Sequence, residues 1–296
     1  MHDRVWHFVG HEVGVEDLGL IREVVGRFGG LSRGELAETV CELLAWTRPT
    51  GRLKGRECRA FLERLEAAGA ITLPGKRIGR PVGSRTRVPV TVRGDAQAEI
   101  TGTVRDIAPI VIERVETPDD RLLFRELVGR HHYLGHTVPF GAHLRYLVYA
   151  SQPQRSVVAC VQFSSPAWRM ASRDAWIGWD EATRATHLPR VVNNSRFLIL
   201  PWVRVRNLAS TILSRVARQL PADWAARYGT TPVLLETLVD PARFDGASYR
   251  AANWTVVGRT TGGGRREQAR PREARAPKLV LLYPLAPDAA RQLRGR

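Results

Sequence analysis

The 296-residue sequence predicts an α/β (α+β) fold, a mixed sheet with helices between its strands, behind a smaller helical domain at the N-terminus. Three observations predict it. Apolar residues recur at helical spacing between residues 18 and 68. A stretch at 75–106 rich in glycine, proline and arginine shows no periodic apolar face and marks a linker. From Ile107 onward, strand-length apolar runs alternate with helical ones. The expected organisation is a helical domain at 1–74, a basic linker at 75–106 and an α/β domain at 107–296. With 44% hydrophobic residues, both domains have the side chains for a core.

Leu18, Leu20, Ile21, Val24, Val25 and Phe28 lie on one face of a first helix that ends at Gly29-Gly30. Ser32, with Glu35 three residues on, is a capping box opening a second helix through Trp46. After the turn Pro49-Thr50-Gly51, a third helix carries Cys58, Phe61, Leu62, Leu65 and Ala68 on one face, and Ala70 to Pro74 reads as a short strand. Three helices and a strand, with a turn between the last two helices, is the order of a winged-helix or helix-turn-helix unit. In that reading Lys54, Arg56, Arg59 and Arg64 are available for a major groove, and Lys76, Arg77 and Arg80 of the linker for the phosphate backbone. A solvated basic face on an ordinary helical bundle accounts for the same residues.

The balance of 45 basic against 29 acidic residues gives a formal charge of +16, which points to a polyanionic partner, DNA or RNA. Only Lys54, Lys76 and Lys278 are lysine, the bias of a GC-rich genome, but that bias does not create the excess of bases. Cys41, Cys58 and Cys160 are odd in number and lack metal-ligand spacing, so neither a disulfide framework nor a zinc site is expected. No apolar run approaches the ~18 residues of a membrane span. A soluble, cytoplasmic protein is the expectation.

In the second domain Ile110 to Val115 reads as a strand, and Thr117-Pro118-Asp119-Asp120 caps a helix with proline at its first position. That helix runs into three histidines, His131, His132 and His136, where substrate contact is a better reading than metal ligation because no carboxylate pair lies nearby. His143–Ala150 and Val157–Phe163 flank a polar turn as a hairpin. Trp168, Trp176 and Trp179 stand beside arginines, either stacking bases or packing an excursion over the sheet. Phe197 to Val203 is an apolar strand, Arg204 to Asn207 a polar turn, and a helix follows to Leu220, so that free N–H groups and a positive helix end face the turn. That is a site for phosphate. Val233–Val239, Thr255–Gly258 and Leu279–Pro284 are further strands, with a short helix at 246–254.

The blocks His131-His132-Tyr133-Leu134-Gly135, Trp176-Ile177-Gly178-Trp179, Asn194 to Pro201 and Tyr249 to Trp254 resemble the DruA family, named for a component of the Druantia anti-phage system, over about residues 107–285. Leu31 to Pro74 resembles the segment that often precedes that domain. The resemblance implies a setting in phage defence or mobile elements, with defence-system or transposon proteins as partners.

The order of elements is also similar to the GCN5-related N-acetyltransferase fold. That resemblance implies a pyrophosphate loop of the form Arg/Gln-x-x-Gly-x-Gly/Ala, matched by Arg204, Arg206, Asn207, Leu208 and Ala209 except that Asn207 replaces the first glycine. Asparagine tolerates the positive φ the loop needs. It further implies Tyr249 as the acid that protonates a departing thiolate, Asn253 in place of a glycine before the aromatic Trp254, and Glu236 or an ordered water as general base. The implied cofactor is acetyl-CoA or another acyl donor, an aminoacylated RNA included. Candidate substrate contacts are His132, Tyr133, His136, Trp176, Trp179 and Arg196.

A non-enzymatic nucleic-acid-binding accessory on the same fold is the alternative. A nuclease is a more distant one, since Asp174, Glu236 and Asp240 match no known spacing and lysine is nearly absent.

Overall fold

A computed structural model describes residues 5–28, 31–48, 53–75, 88, 90–139, 141–260 and 277–295. The chain divides into two compact units, Met1–Arg85 and Thr86–Arg296. Lys76, Arg77 and Arg80 lie outside the described residues.

In the first unit an antiparallel hairpin of β1 (Trp6–Phe8) and β2 (His11–Val13) precedes α1 (Val15–Arg27), α2 (Arg33–Leu43) and α3 (Gly55–Ala67). The capping box forms as expected: Glu35 N–H donates to Ser32 Oγ at 3.3 Å, and Ser32 N–H to Glu35 Oε2 at 2.8 Å. Ile21, Leu36, Val40, Cys58, Phe61, Leu62 and Leu65 form the core, and Phe8 stacks on Trp46 with centroids 3.9 Å apart. The expected strand at 70–74 does not form. That segment is tied down by side chains instead: Arg22 Nε donates to Ala70 O, Arg33 Nε to Pro74 O, and Leu73 N–H to Glu66 Oε1.

The second unit is built on a seven-stranded mixed sheet. Its elements in chain order are β3 (Ile100–Thr103), β4 (Val111–Arg114), α4 (Pro118–His131), β5 (His143–Ala150), β6 (Ser156–Ser164), α5 (Ala171–Ile177), α6 (Glu181–His187), β7 (Val191–Ile199), β8 (Val203–Arg206), α7 (Leu208–Tyr228), β9 (Leu234–Val239), α8 (Ala247–Arg250), β10 (Thr255–Arg259), β11 (Leu279–Pro284) and α9 (Ala289–Leu293). The sheet order is β10-β11-β9-β7-β6-β5-β4, antiparallel throughout except for the parallel pair β7 and β9. Thr117 caps α4 as expected, accepting from Asp120 N–H at 3.1 Å with Pro118 at the first helical position.

Neighbouring residues on a strand face opposite sides. Tyr146 donates to Asp223 of α7 at 2.9 Å, so Tyr146 marks the α7 side and Arg145, whose guanidinium lies over Phe124 of α4, marks the other. On that other side α5 packs against β10 and β11, and α9 against α5 and α6. Among the described residues no helix is long and apolar enough to cross a membrane.

Two expectations change here. The apolar run predicts one strand from Phe197 to Val203, but β7 begins earlier, at Val191, and stops at Ile199 before Pro201, which has no N–H for a ladder. The turn expected at Arg204–Asn207 is for the most part strand: Arg204 to Arg206 lie in Val203–Arg206, which pairs in parallel with Ile100–Thr103. Residues 90–106 therefore belong to the second unit and are no linker. Backbone pairing holds their end, and the buried Glu126 carboxylate accepts from Thr91 N–H and Oγ1. Neither interaction needs the apolar periodicity that the sequence lacks.

Candidate active site

β7 and β9 pair over only four residues, ending at Asn194 opposite Thr237. Beyond that point β7 stays with β6 and β9 with β11, so the two parallel strands part and a fork opens in the sheet. A β-bulge accompanies the parting. Gln162 pairs with Arg196 and Phe163 with Asn194, which leaves Ser195 as the extra residue. An extra residue bends its strand and increases the local twist.

Asn194 fastens the bulge. Its Nδ2 donates to Gln162 O at 3.1 Å and to Arg196 O at 3.2 Å, and Gln162 Nε2 donates to Ser195 Oγ at 3.1 Å. The remaining oxygen of Asn194 accepts from the Tyr249 hydroxyl at 2.6 Å, and Thr237 Oγ1 lies 3.5 Å from the same hydroxyl. Tyr249 thus stands where the strands separate, its ring edge-on to Phe197 and Trp254. Burial raises its phenol above the ordinary tyrosine value.

The helix that leaves the ribbon supplies the second part. Asn207 has φ 61° and ψ 6°, the left-handed conformation that a glycine would adopt at little cost. Asn253, the other asparagine standing for a glycine, has φ 64°. Both asparagines hold the left-handed backbone that glycine favours. No side chain caps α7, whose first intrahelical bond runs from Thr211 N–H to Asn207 O. The N–H groups of Leu208, Ala209 and Ser210 therefore have no partner within the helix. Arg204 and Arg206 are exposed on β8, Arg204 paired with Glu99 at 3.0 Å.

The candidate substrate residues divide. His132, Tyr133 and Arg196 gather beside the fork: Arg196 donates to Gly135 O and Thr137 Oγ1, the His132 and Tyr133 rings stack at 4.9 Å, and Arg243 lies 5.1 Å from the Tyr133 ring. Trp176 and Trp179 do not join them. They sit on α5 and its end, where the Trp179 indole donates to Asp174 Oδ1 at 3.1 Å.

Glu236 belongs with the tryptophans. It precedes Thr237 on β9 and so faces away from Tyr249, toward α5. There it pairs at 3.0 Å with Arg173, a guanidinium with no exposure that also donates to Ala167 O, Trp168 O and Asp174 Oδ1. Burial pushes the Glu236 carboxyl up, while Arg173 pulls it down. The sheet separates the two catalytic candidates. Asp240 stands apart from Asp174 and Glu236, its Oδ1 accepting from Ala242 N–H.

In the first unit, Arg56 and Arg59 are exposed on α3 and Lys54 precedes it, but Arg59 is partnered by Glu63 at 3.5 Å and Arg48 by Glu57. Acidic residues interleave the basic face.

Asn194, Thr237, Gln162, Arg125 and Arg145 are functional candidates that the sequence reading omits. No local pattern marks Asn194 and Gln162 as partners; the pairing of β6 with β7 brings them together.

Two imidazoles near the fork are held neutral. Burial, then Arg196, lowers His132 to about 4, and burial, then Arg145, Arg125, Arg196 and His143, lowers His136 to about 4. In the unfolded chain both titrate near 6.5. Between these values the unfolded state binds more protons, so stability is complete above pH 6.5 and falls as the pH drops toward 4. Each imidazole keeps part of its surface in water, which reduces its contribution to about 1 kcal/mol. The expected melting temperature is flat from pH 7 to 8 and falls by several degrees between pH 6.5 and 5, and thermal melts across that range check it.

A search of curated proteins gave no match to the sequence. Among solved structures the chain is similar to spermidine N-acetyltransferase from Vibrio cholerae in complex with CoA and spermine, at 10% identity, 60% of this chain, 95% of that chain and a TM-score of 0.39. It is similar to FeeM, an N-acyl amino acid synthase from uncultured soil microbes, at 11% identity, 60% and 90% coverage and a TM-score of 0.36. Nourseothricin acetyltransferase follows at 13% identity, 60% and 99% coverage and a TM-score of 0.35. The sequence profile described as Druantia protein DruA matches residues 83–271, which takes in the bulged β7, the fork, Tyr249 and the asparagine-led helix. The chain belongs to the DruA family.

Proposed function

We propose that the second unit is an acyltransferase that takes its acyl group from acetyl-CoA or a related acyl donor. The observation that carries this reading is the fork itself, with the Tyr249 hydroxyl at the point where β7 and β9 part. A strand edge left unpaired offers backbone groups to a bound pantetheine-like chain. The N–H groups of Leu208, Ala209 and Ser210 would bind the donor's diphosphate through hydrogen bonds and the helix dipole. Tyr249, kept protonated by burial, would hand its proton to the departing thiolate. Its bond to Asn194 fixes the hydroxyl before the donor arrives. Glu236 is committed to Arg173, so deprotonation of the acceptor falls to another group or to water. Membership of the family whose model is described as Druantia protein DruA supports a setting for this activity in phage defence or mobile elements.

The charge of +16 favours a second reading, in which the chain is a DNA- or RNA-binding accessory that performs no transfer. Mass spectrometry of the purified protein under native conditions separates the two. A co-purified acyl-CoA or CoA mass supports the transferase, whereas nucleic acid alone, with no nucleotide cofactor bound even after CoA is added, favours the accessory.

A further inference from the structure

α4, β5 and the segment between them bring together three guanidinium charges and a neutral imidazole, with no counter-charge among the described residues. Arg121 and Arg125 are one turn apart on α4, Arg145 lies on β5, and His136 lies in the segment between those elements. Arg145 Nε donates to Gln162 Oε1 at 3.0 Å, and its guanidinium lies 5.7 Å from the Phe124 ring centroid. Its Nη2 is buried with no hydrogen-bond partner, as are Arg125 Nε and His136 Nε2.

Among the described residues none of the three arginines forms an ion pair. The carboxylate beside them in sequence, Glu126, is taken by Thr91 and Arg130. Burying cations without a partner is costly, and unsatisfied donors add to the cost. The same surroundings act on the Arg145 guanidinium: burial, then Arg125 and Arg121, brings it down to about 10.

We propose that Arg145, Arg125 and His136 form a binding site for the phosphate group of a substrate. Three donors, from α4, β5 and the segment between them and backed by the charge of Arg121, suit an anion that spreads its charge over three oxygens better than a two-oxygen carboxylate. The site lies on the face of the sheet that carries α4, opposite α7. It is therefore distinct from the donor's diphosphate position at the head of α7. That its ligand is the acyl acceptor rests on the transferase reading; the binding of phosphate does not.

The test follows the imidazole resonances of the full chain by NMR. In inorganic phosphate the His136 titration is expected to rise by about one unit or more, because a bound anion stabilises the imidazolium. Sodium chloride at matched ionic strength should leave it in place. Arg145→Gln should weaken phosphate binding about tenfold or more, while melting within a few degrees of the wild type without phosphate, since the lost bond to Gln162 is offset by the removal of an unpaired charge. A nucleoside monophosphate and a short single-stranded DNA, compared with inorganic phosphate, identify the source of the group. An identical His136 titration in phosphate and chloride would overturn the proposal, as would undiminished phosphate binding by Arg145→Gln. Acetyl-CoA binding, measured separately, keeps the outcomes distinct: its absence with a phosphate response intact removes the transferase reading and leaves this site standing.

Discussion

Arg173→Met is expected to lower the melting temperature of the protein by about 10 °C. The substitution strips Glu236 of its partner at a position where the carboxylate is 1% exposed. Breaking one side of a buried ion pair costs about 3–5 kcal/mol, since the other charge stays buried. At roughly 2–4 °C per kcal/mol for a unit of this size, the shift follows. Arg173→Met combined with Glu236→Leu should recover much of the loss, because an apolar pair of similar volume removes both charges together. Differential scanning calorimetry on the two variants checks the pair of values. Glu236→Gln distinguishes structure from chemistry at the same position. It should leave transferase turnover within about twofold of wild type if Glu236 only anchors α5, whereas a general base would lose about 10²-fold or more.

Tyr249→Phe is the complementary case, a small structural change with a large chemical one. Removing the hydroxyl deletes one bond to Asn194, worth about 1 kcal/mol. The loss of a positioned acid should lower kcat about 10²-fold while KM for the acyl donor stays near its wild-type value. The raised phenol adds a pH signature. Because burial lifts Tyr249 above the ordinary tyrosine range, the acid stays protonated throughout the neutral region. The wild-type rate should then show no decline from this group up to about pH 10. A steady-state pH profile with a fixed acceptor amine measures it.

The parts of the fold that were legible in the sequence are those governed by local rules. Ser32 and Glu35, and Thr117 and Pro118, mark helix starts through caps that act within four residues. Asn207 and Asn253 take the left-handed backbone, and asparagine's short polar side chain is what makes that conformation accessible.

What was not legible depends on pairing across the chain. Ile100–Thr103 has no apolar period, and only its parallel partner Val203–Arg206 gives it a structure. The apolar run starts the strand only at Phe197, yet Asn194 lies inside β7, where its amide closes a bulge that no periodicity encodes. The candidate site shows the same limit. Tyr249, His132, Tyr133 and Arg196 lie near the fork, but Glu236 and the tryptophans share its strands and loops while facing the other layer. A shift of one residue along a strand changes the face of a side chain. Sequence spacing alone gave no register for β9.

Isothermal calorimetry tests most directly whether the fork and the head of α7 bind an acyl-CoA. Acetyl-CoA should bind the wild-type chain with micromolar affinity, about −8 kcal/mol. Ala209→Asp places a carboxylate in the first turn of α7, where it suits the helix dipole but repels the donor's diphosphate. It should therefore weaken binding about tenfold or more with no fall in melting temperature. No binding by the wild-type chain, or equal affinity in Ala209→Asp, would contradict the account.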